Sequence, residues 1–204
     1  MSYTERILSD GENREAWLAA RHSIIGASDT AKLAKPESVE LYLRSKLADS
    51  SFTGNAYTES GHRWEPMMLA WAGIPANKAL IHSPHEKGFA ATPDGILPLF
   101  GDALRGAECK AKHGRVVDGP SLAEWRQLAW QFLCVPEFDS IEFIWVELMD
   151  GEIRAELNGE PKSITVTRQH PKIIQLSQQI LPIAHDLLGR LRAARQFEQE
   201  LLAS

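Results

Sequence analysis

The chain is poor in cysteine, in long apolar runs and in positive charge. Two cysteines, Cys109 and Cys134, among 204 residues are too few for a disulfide framework, a thiolate zinc site or a four-cysteine iron–sulfur cluster. No apolar run approaches the length of a membrane span. The opening Met1-Ser2-Tyr3-Thr4-Glu5-Arg6 lacks the basic-then-apolar layout of a secretory signal, so a cytoplasmic location without a membrane partner is expected. The net charge of −5 argues against indiscriminate coating of nucleic acid, although affinity for DNA depends on where Lys and Arg cluster. No internal repeat or low-complexity tract interrupts the chain. What is present is an ordinary globular composition, 44% hydrophobic and 24% charged. The length suits a single domain over residues 1–204 with a proper core.

The most informative stretch is Ala91-Thr92-Pro93-Asp94-Gly95-Ile96 followed by Gly106-Ala107-Glu108-Cys109-Lys110. Both segments read as short β-strands joined by a turn-prone stretch from Pro98 to Gly106. Asp94 then sits at a bend beside Glu108, and Lys110, two residues on, shares a strand face with Glu108. Two carboxylates and a lysine at one point suit a hard divalent cation, Mg²⁺ with Mn²⁺ as the alternative, which takes oxygen ligands and keeps waters. Such an ion lowers the pKa of its water and offsets charge on a phosphate undergoing cleavage. Lys110 would hold the attacking water or stabilise the charge that develops. The plain alternative is that Asp94-Gly95 is a turn and Glu108-Cys109-Lys110 a solvated strand face.

Further elements follow from caps and periodicity. Asn13 caps a helix from Arg14, with Trp17 and Leu18 on its buried side. Ser28 or Asp29 caps the next helix, through about Leu33. A hydroxyl and amides at a helix start, with Arg21 seven residues earlier, can cradle a phosphate, although Ser28 reads equally as a plain cap and Arg21 as a surface cation. Helices are expected over Ser38–Leu47 and Asn55–Ala72, the second kinked or restarted at Pro66. Glu65 lies there among Trp64, Met67, Met68 and Leu69, where a buried carboxylate needs a partner or a metal; a solvent-facing Glu is the other reading. Strands are expected near Ala79–His82, Gly88–Thr92, Gly95–Leu99 and Ala107–Lys112. A helix over Ser121–Cys134 puts Gln127 and Gln131 one turn apart on a common face. Strands follow over Ser140–Leu148 and Glu152–Leu157, joined by the hairpin signal Asp150-Gly151, and over Ser163–Thr167. A long helix or helix pair interrupted at Pro182 runs from about residue 171. The six tryptophans read as core. His82 and His85 have a ligand-like spacing, but no further Cys or His stands at zinc-motif spacing beside them. The order of elements predicts an α/β fold around a mixed central sheet.

These residues resemble the PD-(D/E)xK nuclease superfamily and, within it, the YqaJ-like viral recombinases, the phage lambda exonuclease family. The likeness rests on five blocks in order, spanning about residues 17 to 135: Arg21 with Gly26-Ala27-Ser28, Gly61 with Glu65-Pro66, Thr92-Pro93-Asp94-Gly95, Glu108-Cys109-Lys110, and Trp125-Arg126-Gln127-Leu128-Ala129-Trp130-Gln131. Two departures stand out. The family often has Gln where Ala129 stands, and often Pro soon after the catalytic lysine, where this chain has Ala111-Lys112-His113.

The resemblance implies a restriction-endonuclease-like fold, with the mixed sheet flanked by helices. It implies an Mg²⁺-dependent exonuclease that digests one strand of duplex DNA from its 5′ end and leaves a 3′ overhang for a single-strand annealing protein. It further implies a phage or prophage origin in a bacterial cell and a cyclic homotrimer. On this pattern Asp94, Glu108 and the Cys109 backbone carbonyl ligate the catalytic ion, and Glu65 serves a second ion or its water shell. Lys110 activates the attacking water, Gln127 positions that lysine or the water, and Arg21 and Ser28 hold the 5′ phosphate. Two other classes share part of the pattern. An endonuclease of restriction or junction-resolving type needs Asp94, Glu108 and Lys110 but no phosphate pocket, and an inactive DNA-binding subunit needs none of the chemistry.

Overall fold

A computed structural model describes residues 2–48, 56–154 and 159–203, and within 56–62 only the backbone. Its first fixed point is a buried arginine. Arg6, at the end of a 3-10 turn, donates to the carbonyls of His82 and Cys134 and pairs with Glu137, which satisfies a charge that could not otherwise be buried. The strand β1 (Ile7–Ser9) that follows is too short to carry a visible period. It joins β2 (Leu80–His82) and β3 (Ala90–Ala91) in a small antiparallel sheet ordered β1-β2-β3.

Between β1 and β2 the described residues form four helices: α1 (Arg14–His22), α2 (Ala27–Thr30), α3 (Ser38–Leu47) and α4 (Ala56–Ala72). Asn13 caps α1 by accepting from the Ala16 amide. Helix α2 is shorter than its sequence suggests and starts earlier. Gly26 is its N-cap, and Asp29, not a cap itself, reaches back from the first turn to the Gly26 amide. Pro66 lies inside α4 and does not end it.

The main sheet is mixed. It is ordered β4 (Gly95–Pro98), β5 (Leu104–His113), β6 (Phe138–Met149) and β7 (Glu152–Ile153), with β8 (Lys162–Thr167) also paired to β6. Strands β5 and β6 are parallel and are joined by α5 (Leu122–Cys134), the crossover that a parallel pair requires. The Ser121-x-x-Glu124 capping box starts α5: the Ser121 hydroxyl accepts from the Glu124 amide, and Glu124 accepts from the Ser121 amide. Asp150 and Gly151 turn the chain from β6 into β7 with φ of 52° and 85°, the left-handed pair of a type I′ hairpin. The end of the expected strand Glu152–Leu157 lies outside the described residues.

Both faces of the main sheet are covered, and β6 accordingly reads as a nearly continuous apolar run. On one face Ile141, Phe143 and Trp145 pack against Leu128 and Phe132 of α5 and, beyond them, α6 (Pro171–Ala203). On the other, Ala107, Cys109, Ile144 and Val146 meet Met68 and Leu69 of α4. Helix α6 passes through Pro182 without interruption: the proline removes a single amide, and the burial of Ile180, Ile183, Ala184 and Leu187 around it outweighs that loss. Of the tryptophans, Trp125, Trp130 and Trp145 are core, Trp17 and Trp64 are half-buried, and Trp71 is exposed. Among the described residues, no helix is long and apolar enough to cross a membrane.

Candidate active site

The site forms where β4 begins against β5. Gly95 is the first paired residue, opposite Ala107, and one residue earlier the Asp94 amide still donates to the Ala107 carbonyl at 3.0 Å. There the carboxylate of Asp94 takes over from the backbone, with Oδ2 accepting from the Cys109 amide at 2.6 Å. Asn77 holds the bend from behind. Its amide donates to the Asp94 carbonyl at 2.8 Å, and its Nδ2 donates to the Pro93 carbonyl at 2.8 Å. Gly95 is required by crowding rather than by a turn: a Cβ there would stand 2.8 Å from both Ile74 Cγ2 and Leu69 Cδ2.

Period two along β5 puts Glu108, Lys110 and Lys112 on the face toward α5. Glu108 is almost fully buried. Its Oε1 pairs with Lys110, and its Oε2 accepts from Nε2 of Gln131. Two residues further, buried Lys112 pairs with Glu124 in the first turn of α5. Helix α5 is therefore tied to β5 at two points, by Glu124 to Lys112 and by Gln131 to Glu108. Glu124, which receives Lys112, is the glutamate of the Ser121-x-x-Glu124 capping box, a local signal that the helix spacing alone did not bring out.

The electrostatics are those of crowded carboxylates. Burial raises the Asp94 carboxyl well above the ordinary range, and the Glu108 and Glu65 carboxylates raise it further; the Lys110 ammonium and the Cys109 amide only partly oppose this. Burial also raises the Cys109 thiol, with the same three carboxylates adding to it. For Lys110 burial favours the neutral amine, but Glu108 and Asp94 outweigh it and raise its pKa, so it is an ammonium at neutral pH. Glu65 is half-buried in α4 and acts on this group through space.

Among the described residues, no set of three His, Cys, Asp or Glu side chains is arranged to enclose an ion. Mg²⁺ does not need one, since one or two carboxylates with waters suffice. Asp94 and Glu108 offer such a pair, in a spot where negative charge is under-compensated. The carboxamide bound to Glu108 adds a buried acceptor, since Oε1 of Gln131 has no hydrogen-bond partner. The donor set fits a hydrated hard cation.

The expected residues fall into two groups. Asp94, Glu108, Cys109 and Lys110 come together, with Glu65 in electrostatic range. Gln127 is half-buried on α5, and Gln131, one turn on, makes the contact to Glu108. Arg21 and Ser28 meet each other: Arg21 Nη2 donates to Ser28 Oγ at 2.6 Å, and the guanidinium lies 4.8 Å from the centre of the Trp17 ring. Ser28 is exposed while Asp29 beside it is buried. Helix α2 packs on α5, and Arg126 of α5 donates to the Ala31 carbonyl at 2.9 Å, which links the Arg21–Ser28 pair to the helix that carries Gln131. His82 is buried, its Nδ1 2.7 Å from the Ser83 carbonyl. The side chain of His62 lies outside the described residues.

Three solved structures share this architecture. The alkaline exonuclease LHK-Exo from Laribacter hongkongensis superposes with a TM-score of 0.65 at 20% identity, over 92% of this chain and 99% of that one. The same enzyme in complex with dAMP gives 0.63 at 19% identity, with the same coverage. The chain has the fold of these exonucleases. A phage-related exonuclease from Haemophilus somnus 129PT matches with a TM-score of 0.52 at 11% identity, over 94% of this chain and 93% of that one. The fold is thus restriction-endonuclease-like, a mixed sheet flanked by helices. The sequence matches no family model and no curated protein.

Proposed function

We propose that the protein is an Mg²⁺-dependent 5′-to-3′ exonuclease that degrades one strand of linear double-stranded DNA and leaves a 3′ single strand for recombination by strand annealing. The observation that carries this reading is the meeting of Asp94, Glu108 and Lys110 at the mouth of β4 and β5, under a charge imbalance that a divalent cation would relieve. The fold shared with an alkaline exonuclease and a phage-related exonuclease agrees with it, and so does the dAMP bound by one of them.

Asp94, Glu108 and the Cys109 carbonyl would hold the ion, with Glu65 serving its water shell. Bound there, Mg²⁺ or Mn²⁺ supplies a water of lowered pKa and positive charge against the phosphate oxygens. Lys110, held as an ammonium by Glu108 and Asp94, donates to the attacking water and to the oxygens on which charge develops. Gln131 fixes the second oxygen of Glu108, so that Glu108 presents one orientation to both Lys110 and the ion; Gln127 remains a neighbour one turn away. Arg21, oriented by the Trp17 ring, and the Ser28 hydroxyl offer donors to a 5′-terminal phosphate. Assembly as a closed homotrimer and hand-over to a single-strand annealing protein complete the proposal. A ring would give processivity without tight binding, in keeping with the net charge of −5.

The test is digestion of linear and covalently closed circular duplex DNA with and without Mg²⁺. Loss of the linear form alone, only with the ion, supports an end-dependent exonuclease. Cutting of the circle would assign the same residues to an endonuclease, and no cleavage of either form would leave a DNA-binding subunit.

A further inference from the structure

One ammonium ties together the two segments that carry Arg21 and Ser28. Tyr42 and Lys46 lie one turn apart on α3 and so share a face. Lys46 Nζ donates to the Ile24 carbonyl at 2.8 Å and to the Arg21 carbonyl at 3.3 Å, at the end of α1. The same nitrogen pairs at 2.7 Å with Oδ2 of Asp29, in the first turn of α2. Asp29 is itself fully engaged: Oδ2 also accepts from the Gly26 amide at 2.8 Å, and Oδ1 accepts from the Tyr42 hydroxyl at 2.8 Å. The Lys46 side chain is 12% exposed and that of Asp29 6%. A pair so shielded is held in one geometry rather than exchanging with water.

The consequence falls on the neighbouring residues. Arg21 itself bears one of the carbonyls that Lys46 holds, and Ser28 directly precedes the aspartate whose carboxylate Lys46 holds. The 2.6 Å contact between Arg21 and Ser28 therefore depends on where Lys46 sets the end of α1 relative to α2. We propose that Lys46 is the positioning residue of the 5′-end pocket, with Asp29 and Tyr42 as its anchors, and that it sets the preference for 5′-phosphorylated DNA without touching the phosphate. This rests on the reading of Arg21 and Ser28 as the phosphate donors.

The test compares kcat and KM on linear duplexes bearing a 5′ phosphate or a 5′ hydroxyl, for the unsubstituted protein, Lys46→Met, Lys46→Arg and Arg21→Ala, with Tm measured for each. The ratio of kcat/KM between the two ends is the readout, because a merely structural residue lowers both values together. In Lys46→Met the ratio falls about tenfold, the cost of one misplaced charge-assisted contact. The fall appears in KM for phosphorylated ends, with kcat at saturating DNA within about twofold. Lys46→Arg, which keeps the charge, recovers part of the ratio. Equal loss on both ends in Lys46→Met, beside selective loss in Arg21→Ala, overturns the role of Lys46. An unchanged ratio in Arg21→Ala overturns the phosphate pocket itself. Should Lys46→Met not fold, Tyr42→Phe removes only the hydroxyl on Asp29 and lowers the ratio about threefold; a folded Tyr42→Phe with an unchanged ratio overturns the proposal.

Discussion

Asn77 holds the backbone of Asp94: its amide donates to the Asp94 carbonyl at 2.8 Å while its side chain donates to Pro93. The bend that aims the Asp94 carboxylate at the Cys109 amide is thus fixed from a loop outside β4 and β5. Asn77→Ala leaves the Pro93 carbonyl without this donor. It is expected to lower the stability of the folded state by about 1–3 kcal/mol and to reduce kcat, as urea unfolding and steady-state digestion would measure.

Lys110→Ala removes the ammonium that faces Glu108. The rate of DNA digestion should fall by several orders of magnitude, on the order of 10³-fold, while the affinity for duplex ends in a binding assay stays close to that of the unsubstituted protein. Digestion at a near-normal rate would remove Lys110 from the chemistry.

The two glutamines of α5 separate the contact seen from the one expected. Gln131→Ala, which frees Oε2 of Glu108, should lower kcat about 10- to 100-fold, and Gln127→Ala should change it less than about threefold. The reverse order would return the role to Gln127.

Ion binding has a readout apart from turnover. Mg²⁺ or Mn²⁺ should raise the Tm of the protein in a concentration-dependent way, and Asp94→Asn should weaken that rise. EDTA should abolish cleavage.

Glu147, buried opposite Lys112 in the parallel pair, gives a pH signature. Burial alone would raise its pKa, but the Val117 amide at 2.9 Å and the Lys162 ammonium at 3.0 Å outweigh burial and lower it. A depressed pKa stabilises the fold above the unfolded value, about 4.3, and that contribution is lost as pH falls through the folded value. Glu147→Gln should therefore be less stable at pH 7 by about 1–3 kcal/mol, and its unfolding curve should approach that of the unsubstituted protein only as pH falls beneath the ordinary carboxylate value and through the depressed folded one.

Much of this was readable along the chain where a local rule dominates. Period two brought Glu108 and Lys110 to one strand face, helical spacing placed α5 over Ser121–Cys134, and Asp150-Gly151 marked the hairpin between β6 and β7. Tertiary packing decided the rest. Gln127 and Gln131 share a helix face, so spacing cannot tell which meets Glu108; that depends on how far α5 slides along β5, which Lys112 and Glu124 fix. Gly95 reads as a turn residue, yet the close approach of Leu69 and Ile74 is what excludes a side chain there. Pro182 reads as a break, and the buried stripe around it carries the helix through. Strand β1 is too short to show a period, and Asn77 lies in a loop that no period marks.

The most direct test of the central claim is digestion of linear duplex DNA labelled at the 5′ or at the 3′ end, with Mg²⁺. Prompt release of the 5′ label, with the 3′-labelled strand retained until late in the reaction, is the expected result. First release of the 3′ label, or internal cuts that shorten both labelled strands together, would contradict it.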